Sequence, residues 1–318
     1  MISIVVPVYN EEESLQAFYK ELIKVLPSFA KAYEIVFVDD GSTDASLEIL
    51  KEFAKSNKAV RIFSFRRNQG KAEALTLGFH MTRGETIITL DADLQDKPSE
   101  IHTLLEKMSQ GFDMVSGWRK DRHDSPATII SSKLFNFFAG LFWGMHLHDY
   151  NCGLKAYTKD AAKSLHLYGG MHRFIPLIVF QQGFTVTEVA VSHDVRKFGK
   201  SKYAHGFSKI FKNLPDMFTM LFLIKYGKRP LHFFGIMGGL SSLIGIILLV
   251  YLSILHYMGK AIGDRPLLFL GMLLILVGFQ IFFTGFLAEL MINVKNGENS
   301  ESLRFQLRYS SDREVLSI

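Results

Sequence analysis

The residues best suited to chemistry are acidic, and they stand where apolar runs end. Ile2 to Val6 leads into Pro7-Val8-Tyr9-Asn10-Glu11, Ile35 to Val38 into Asp39-Asp40-Gly41-Ser42-Thr43-Asp44, and Ile87 to Leu90 into Asp91-Ala92-Asp93-Leu94-Gln95-Asp96. Asp91 and Asp93 are one residue apart, so in an extended strand their side chains would point to opposite faces. A turn at that strand end lets both carboxylates address one hard divalent cation, directly or through water, and Gln95 can add a neutral oxygen. Mg2+ and Mn2+ favour such ligands together with phosphate oxygens and water. No G-x-x-x-x-G-K-[ST] loop and no G-x-G-x-x-G turn follows any of these runs, which disfavours a P-loop NTPase and a dinucleotide enzyme. The one cysteine, Cys152, excludes an internal disulfide scaffold and a cysteine-rich zinc module.

These side chains need a frame that brings strand ends together. Short β-type runs are predicted at Ile2–Val8, Glu34–Val38, Val60–Phe65, Thr86–Leu90 and Met114–Ser116. Between the first two, Leu15, Phe18, Tyr19, Leu22, Ile23 and Leu26 recur with the spacing of one helix face, as do Ile101, Leu104, Leu105 and Met108 after the fourth. Strands alternating with amphipathic helices indicate an α/β domain with a mostly parallel sheet, which binds ligands at the carboxyl ends of its strands.

The second half has a different composition. The chain is 48% apolar with a net charge of +5, and it runs without a charged residue from Leu231 to Gly259 and again from Pro266 to Ala288. Both stretches exceed the roughly 20 residues that span a bilayer core, so two transmembrane helices are expected at about 231–257 and 266–292. Arg196 to Arg229 carries nine basic residues and one acidic residue, Asp216, which by the positive-inside rule keeps the preceding domain cytoplasmic. With Met1 leading directly into the first strand, no secretory leader is expected. An apolar stripe over Phe207 to Tyr226 bordered by lysines has the pattern of an interfacial helix. The expected organisation is a catalytic domain at 1–206, an interfacial segment at 207–230, a two-span membrane unit at 231–294 and a cytoplasmic tail at 295–318.

In this order, the first-strand Pro-Val-Tyr-Asn-Glu, the second-strand Val-Asp-Asp-Gly-Ser-Thr-Asp and the fourth-strand Asp-Ala-Asp-Leu-Gln-Asp resemble the motifs of family 2 glycosyltransferases with the Rossmann-like GT-A fold. The likeness is closest to the dolichyl-phosphate mannose synthase-like branch, whose bacterial members also end in two transmembrane helices. The resemblance implies an inverting transferase that moves a hexose from a UDP- or GDP-linked donor to a polyisoprenyl phosphate at the cytoplasmic face of the cell membrane. It implies Mg2+ or Mn2+ as cofactor and leaves room for a homo-oligomer; no nucleic-acid partner is expected.

Carried over by motif, the resemblance assigns Pro7, Tyr9, Glu11, Asp39, Asp40, Asn68, Lys71, Asp91, Ala92 and Gln95 to the nucleotide sugar, and Asp91, Asp93 and Gln95 to the metal. Tyr9 can stack on a base, and Asp39 and Asp40 can accept from ring N–H and ribose hydroxyl groups. Arg66-Arg67-Asn68-Gln69-Gly70-Lys71 resembles the family's Arg-Asn-x-Gly segment, where a helix N-terminus offers free N–H groups to an anion. Ser116-Gly117-Trp118-Arg119 stands for Gly-Ser-Arg, with Trp118 at the usual serine, and Arg119 can fork onto a phosphate. Asp149 to Lys155 stands where relatives show Asp-x-x-Ser-Gly-Phe-Arg, with Leu154 for Phe and Lys155 for Arg; Asp149 is expected nearest the reacting phosphate. Arg196 to Lys202 resembles Arg-x-x-Gly-x-Ser-Lys, a loop that would close Arg196 and Lys202 over the phosphates. Lys133, Asn136 and Ser201 join Arg119 on the acceptor-phosphate side. The expected catalytic set is Asp93, Asp149, Arg119, Arg196 and Lys202.

Two other readings stay open on sequence alone. A processive polysaccharide synthase shares the front motifs, but neither Trp118 nor Trp143 stands in a Gln-x-x-Arg-Trp motif. A non-catalytic membrane adaptor with a transferase-like domain would be expected to have lost a motif residue.

Overall fold

Seven strands form one sheet in the order β3-β2-β1-β4-β6-β5-β7. The computed structural model describes residues 1–120, 140, 144–194, 222, 226–227, 229–262 and 266–303, the last segment with side chains to 292. Lys133, Asn136, Arg196, Ser201, Lys202 and most of the segment 207–230 therefore lie outside the described residues. By contact density the chain divides into two compact units, Met1–Met220 and Leu221–Ile318.

In the first unit the strands are β1 (Ile2–Val8), β2 (Tyr33–Asp39), β3 (Val60–Ser64), β4 (Thr86–Thr89), β5 (Met114–Arg119), β6 (Lys155–Thr158) and β7 (Val186–Val191). The helices are α1 (Glu12–Phe29), α2 (Ser46–Ser56), α3 (Lys71–Met81), α4 (Ile101–Met108), α5 (Lys159–Lys163) and α6 (Ile175–Gln181), with 3₁₀ turns at Pro98–Glu100 and Gly169–Phe174. The five strands expected from the sequence form, and β5 runs on through Trp118 and Arg119. All ladders are parallel except the two made by β6, which pairs antiparallel with β4 and with β5.

Strand alternation splits the core in two. Ile4, Val6, Val8, Ile35 and Phe37 face one side with Leu15, Phe18, Leu22 and Leu26 of α1, Leu50 and Phe53 of α2 and Leu104 of α4. Val5, Val36 and Val38 face the other with Ala74, Leu75 and Phe79 of α3, Ala161 of α5 and Ile175 and Val179 of α6. The α1 stripe is buried as its spacing predicts, apart from the half-buried Ile23. Removing a ring such as Phe18 would cost about 3–5 kcal/mol.

The sheet's other end is tied by Glu34 at the start of β2. Its carboxylate accepts from Ser3 Oγ at 2.6 Å, Arg83 N–H at 2.5 Å and Arg61 Nη1 at 2.9 Å. Burial alone would raise its pKa, but these donors outweigh burial and hold it below the ordinary carboxylate value.

The second unit is a helical hairpin of α7 (Pro230–Tyr257) and α8 (Pro266–Leu303). Both helices are long and apolar enough to cross a membrane, over Pro230–Tyr257 and Pro266–Ile292, as the hydropathy pattern predicts. They pack through small residues: a Cβ on Gly245 would lie 2.6 Å from the Gly271 carbonyl oxygen, a close approach typical of membrane helix pairs. Glu289 accepts the Leu231 N–H at 3.2 Å, satisfying one of the free donors at the start of α7.

Candidate active site

The carboxyl ends of β1, β2 and β4 converge where the strand order reverses, since β1 lies between β2 and β4. This switch point is where open α/β sheets form a ligand crevice. Two loops frame it on the β1 and β2 side. Asn10, in the left-handed region at φ 51, accepts the Thr43 N–H at 2.8 Å, and its own N–H donates to Ser42 Oγ at 3.0 Å. Glu11 N–H donates to Ser46 Oγ at 2.8 Å. Pro7, Tyr9 and Glu11 are half-buried beside this lacing.

Asp39 and Asp40 are buried and serve the framework. Asp39 accepts from Ser64 Oγ at 2.7 Å and Ser42 N–H at 3.2 Å. Asp40 accepts from Gln69 N–H at 2.7 Å, Gly70 N–H at 3.0 Å and Asn68 Nδ2 at 3.0 Å. Burial raises the Asp40 pKa, with Glu73 and Asp39 adding to it against the two backbone donors. Asp40 thereby takes up two N–H groups of the loop just before α3, next to the helix N-terminus that the resemblance offers to a bound anion. Gly41 permits the contact: its φ is +68, and a Cβ there would lie 2.5 Å from the Arg67 carbonyl carbon.

Asp91 to Asp96 makes the turn that the Asp-x-Asp spacing needs. Leu94 turns left-handed at φ 58, and Asp93 Oδ1 accepts the Gln95 N–H at 3.1 Å. Ala92 and Asp93 are buried, while Asp91 and Gln95 are half-buried. Lys71 Nζ, in the first turn of α3, lies 2.7 Å from each Asp91 carboxylate oxygen. Burial would raise the Asp91 pKa, but Lys71 and then Lys155 and His172 hold it below the ordinary value. Gly153 makes space for this carboxylate, because a Cβ there would lie 2.5 Å from Asp91 Oδ2 and 3.1 Å from Asp96 Oδ2.

On the far side, β5 delivers Arg119 to Asp149. Arg119 Nε donates to Asp149 Oδ2 at 2.6 Å and Nη2 to Oδ1 at 3.1 Å, with the side chains only 12% and 1% exposed. Burial works against the guanidinium charge, yet Asp149 raises the Arg119 pKa well above its usual value. The fork foreseen for phosphate is thus made on Asp149, and Asp149 Oδ1 also accepts the Asn151 N–H at 3.1 Å. Trp118 stacks on His148 with ring centroids 4.1 Å apart, and Glu188 of β7 accepts the His148 N–H at 2.8 Å.

Four residues that the sequence did not single out complete the site. His193 Nδ1 lies 3.0 Å from Asp96 Oδ1, Asp194 N–H donates to the Gln95 carbonyl at 2.9 Å, and Lys97 pairs with Asp194 at 3.0 Å. The chain just before Arg196 is therefore fastened to the Asp91–Asp96 turn. His172, from the 3₁₀ turn, borders Asp91; burial, then Lys71 and Arg173, push its pKa down to about 3, so its ring is neutral. No spacing rule marks His172 or His193, because both come from elements remote in sequence.

Carboxylates gathered at the switch point of an α/β sheet mark a ligand-binding crevice, and comparison with known proteins gives the class. Residues 3–165 match the family model for glycosyl transferase family 2. The chain is 38% identical over 297 residues to the dodecaprenyl-phosphate galacturonate synthase of Rhizobium johnstonii, covering 91% of this chain and 87% of the relative. It is 35% identical to the undecaprenyl-phosphate 4-deoxy-4-formamido-L-arabinose transferase of Edwardsiella ictaluri, covering 93% and 90%. Among solved structures it resembles glucosyl-3-phosphoglycerate synthase from Mycobacterium tuberculosis in complex with Mn2+, UDP and phosphoglyceric acid. That match has a TM-score of 0.53 at 17% identity and covers 71% of this chain and 78% of the other, a likeness of GT-A fold. The chain belongs to glycosyl transferase family 2, among relatives that are bacterial polyisoprenyl-phosphate glycosyltransferases.

Proposed function

We propose that this enzyme transfers one sugar from a nucleoside diphosphate to a polyisoprenyl phosphate, with its first unit in the cytoplasm and α7 and α8 in the cell membrane. The observation that carries the reading is the Asp91–Asp93 turn at the β1/β4 switch point of a family 2 chain that also has a hairpin long enough to span a bilayer. Relatives named for dodecaprenyl- and undecaprenyl-phosphate products support the acceptor. The basic run ahead of α7 supports the orientation.

The site's donor chemistry fits a divalent ion. Asp91 and Asp93 offer hard oxygens from one tight turn, and no group of three or more His, Cys, Asp or Glu side chains forms a closed metal cage among the described residues. An ion held by this pair would keep positions for diphosphate oxygens and water, as Mg2+ and Mn2+ do, and would offset charge on the leaving group. Structural neighbours crystallised with Mn2+ and UDP support that reading.

The chain's own residues divide the remaining work. Tyr9 and Glu11 border the space for the base and ribose, while Asp39 and Asp40 hold the loops that shape it. Lys71 places a cation at Asp91, beside the expected diphosphate. Arg119 and Asp149 form a rigid pair on the acceptor side, where Asp149 orients the incoming phosphate through Arg119. Arg196 to Lys202, outside the described residues, follows the fastened Asp194 in the sequence and brings further positive charge. The acceptor phosphate is an anion at neutral pH and attacks without strong base catalysis, so positioning and charge neutralisation dominate. The test is to incubate membranes containing the enzyme with undecaprenyl phosphate and a panel of radiolabelled UDP- and GDP-sugars. Label from one donor should enter the organic phase; label found only in polymer or as free sugar contradicts the reading.

A further inference from the structure

Lys155 is the buried cation to which the reading above gives no task. It opens β6 opposite Thr89 of β4, so the antiparallel ladder brings it to the strand end that carries Asp91. It is 3% exposed, and its Nζ donates to the Cys152 carbonyl. Lysine is almost never so buried without a charge partner. Among the described residues, however, the neighbouring carboxylates are taken: Asp91 by Lys71, Asp149 by Arg119 and Asp96 by His193, and no ion pair reaches Lys155. Burial lowers its pKa, and Lys71 and Arg119 push the same way against the pull of Cys152 and Asp149.

Lys155 also lines a partly open cavity of about 20 Å³ together with Lys71, Asp91, Asn151 and His172. That is room for about one water-sized group, enough for a single ligand oxygen but not for a sugar ring. The neutral His172 ring adds no charge to this wall. An ammonium held out of water, with no ion pair of its own among the described residues and lining a one-oxygen space, is arranged to receive an anion.

We propose that Lys155 is an anion contact of the donor pocket, taking an oxyanion of the nucleotide sugar from either its diphosphate or a carboxylate on the sugar. This rests on the transferase reading above. The test uses the full-length protein with Lys155→Met, which keeps the length and removes the charge, and with Lys155→Arg, which keeps the charge. Each is titrated with UDP, GDP, UDP-glucose, GDP-mannose, UDP-glucuronate and GDP-mannuronate, and the thermal midpoint is measured without ligand.

Lys155→Met should weaken binding about 10- to 100-fold, the scale of one charge-assisted hydrogen bond, and Lys155→Arg should recover part of it. Equal loss for every nucleotide identifies the diphosphate as the source, and loss confined to the uronates identifies the sugar carboxylate. The ligand-free Lys155→Met protein should melt at the wild-type temperature or above, because a buried unpaired charge has been removed. Wild-type affinity in Lys155→Met overturns the proposal, as does a binding loss matched by an equal fall in thermal midpoint. A wild type that binds none of the six overturns the transferase reading as well, and is distinct from a defect in the variant alone.

Discussion

Arg119 and Asp149 allow the site's electrostatics to be measured apart from its chemistry. With side chains 12% and 1% exposed and joined by two hydrogen bonds of 2.6 and 3.1 Å, they form a buried, bidentate ion pair. Asp149→Asn keeps the shape but leaves a guanidinium out of water without its counter-charge. Breaking such a pair from one side costs about 3–5 kcal/mol. For a folding unit of roughly 200 residues, each kcal/mol shifts the thermal midpoint by about 2–4 °C, so a fall of about 6–20 °C is expected. The double variant Arg119→Met/Asp149→Leu removes both charges and should recover most of that loss, since apolar replacement of a buried pair is often neutral or stabilising. The assay is circular dichroism melting of wild type, Asp149→Asn, Arg119→Met and the double variant in one detergent, with identical scan rates. A midpoint within 2 °C of wild type for Asp149→Asn, or a double variant as unstable as the two single losses added, would refute the buried-pair argument.

Asp93→Asn should lower the transfer rate about 100-fold while leaving the melting profile cooperative, and EDTA should stop the wild type until Mg2+ or Mn2+ is restored; undiminished transfer in EDTA contradicts the metal assignment. Because Cys152 is the one native cysteine and is buried, Ser300→Cys supplies the single accessible thiol, and an impermeant maleimide added to intact cells should leave it unlabelled. Labelling would place the tail outside and reverse the topology. Glu34→Gln should cost about 2 kcal/mol at neutral pH, the scale of hydrogen bonds to a charged group. The folded-state pKa of Glu34 lies below its unfolded value of 4.5, so its stabilisation is full above pH 4.5 and is lost as pH falls through the lowered folded value. The midpoint difference between wild type and Glu34→Gln should close over that acid window, and a difference that is constant with pH would refute the assignment.

The sequence exposed the elements whose signal is local. The α1 stripe, five of the strands and both long apolar helices follow from periodicity and length, and the Asp91–Asp93 turn follows from two carboxylates at a strand end. The strands β6 and β7 escaped because Lys155–Thr158 is short and, unlike β4, holds no β-branched apolar residue, and Val186–Val191 shows no clean alternation; each is fixed by its ladder with β5. Motif matching located Asp40, Lys71, Arg119 and Asp149, but it could not show that they partner one another or the backbone. Those pairings join residues about 20 to 30 positions apart, through strand ends that only the assembled sheet brings together. The His193–Asp96 contact, 97 positions apart, was invisible for the same reason.

The most direct measurement is the product formed by purified wild-type enzyme from its nucleotide sugar and undecaprenyl phosphate, with nucleoside diphosphate release and lipid mass followed in the same sample. The account requires release that depends on the lipid phosphate, one nucleoside diphosphate per lipid consumed, and a product heavier than the acceptor by a single sugar residue. Both signals should be lost in Asp93→Asn. A lipid carrying a chain of sugars, or nucleotide turnover that continues unchanged without the polyisoprenyl phosphate, would contradict it.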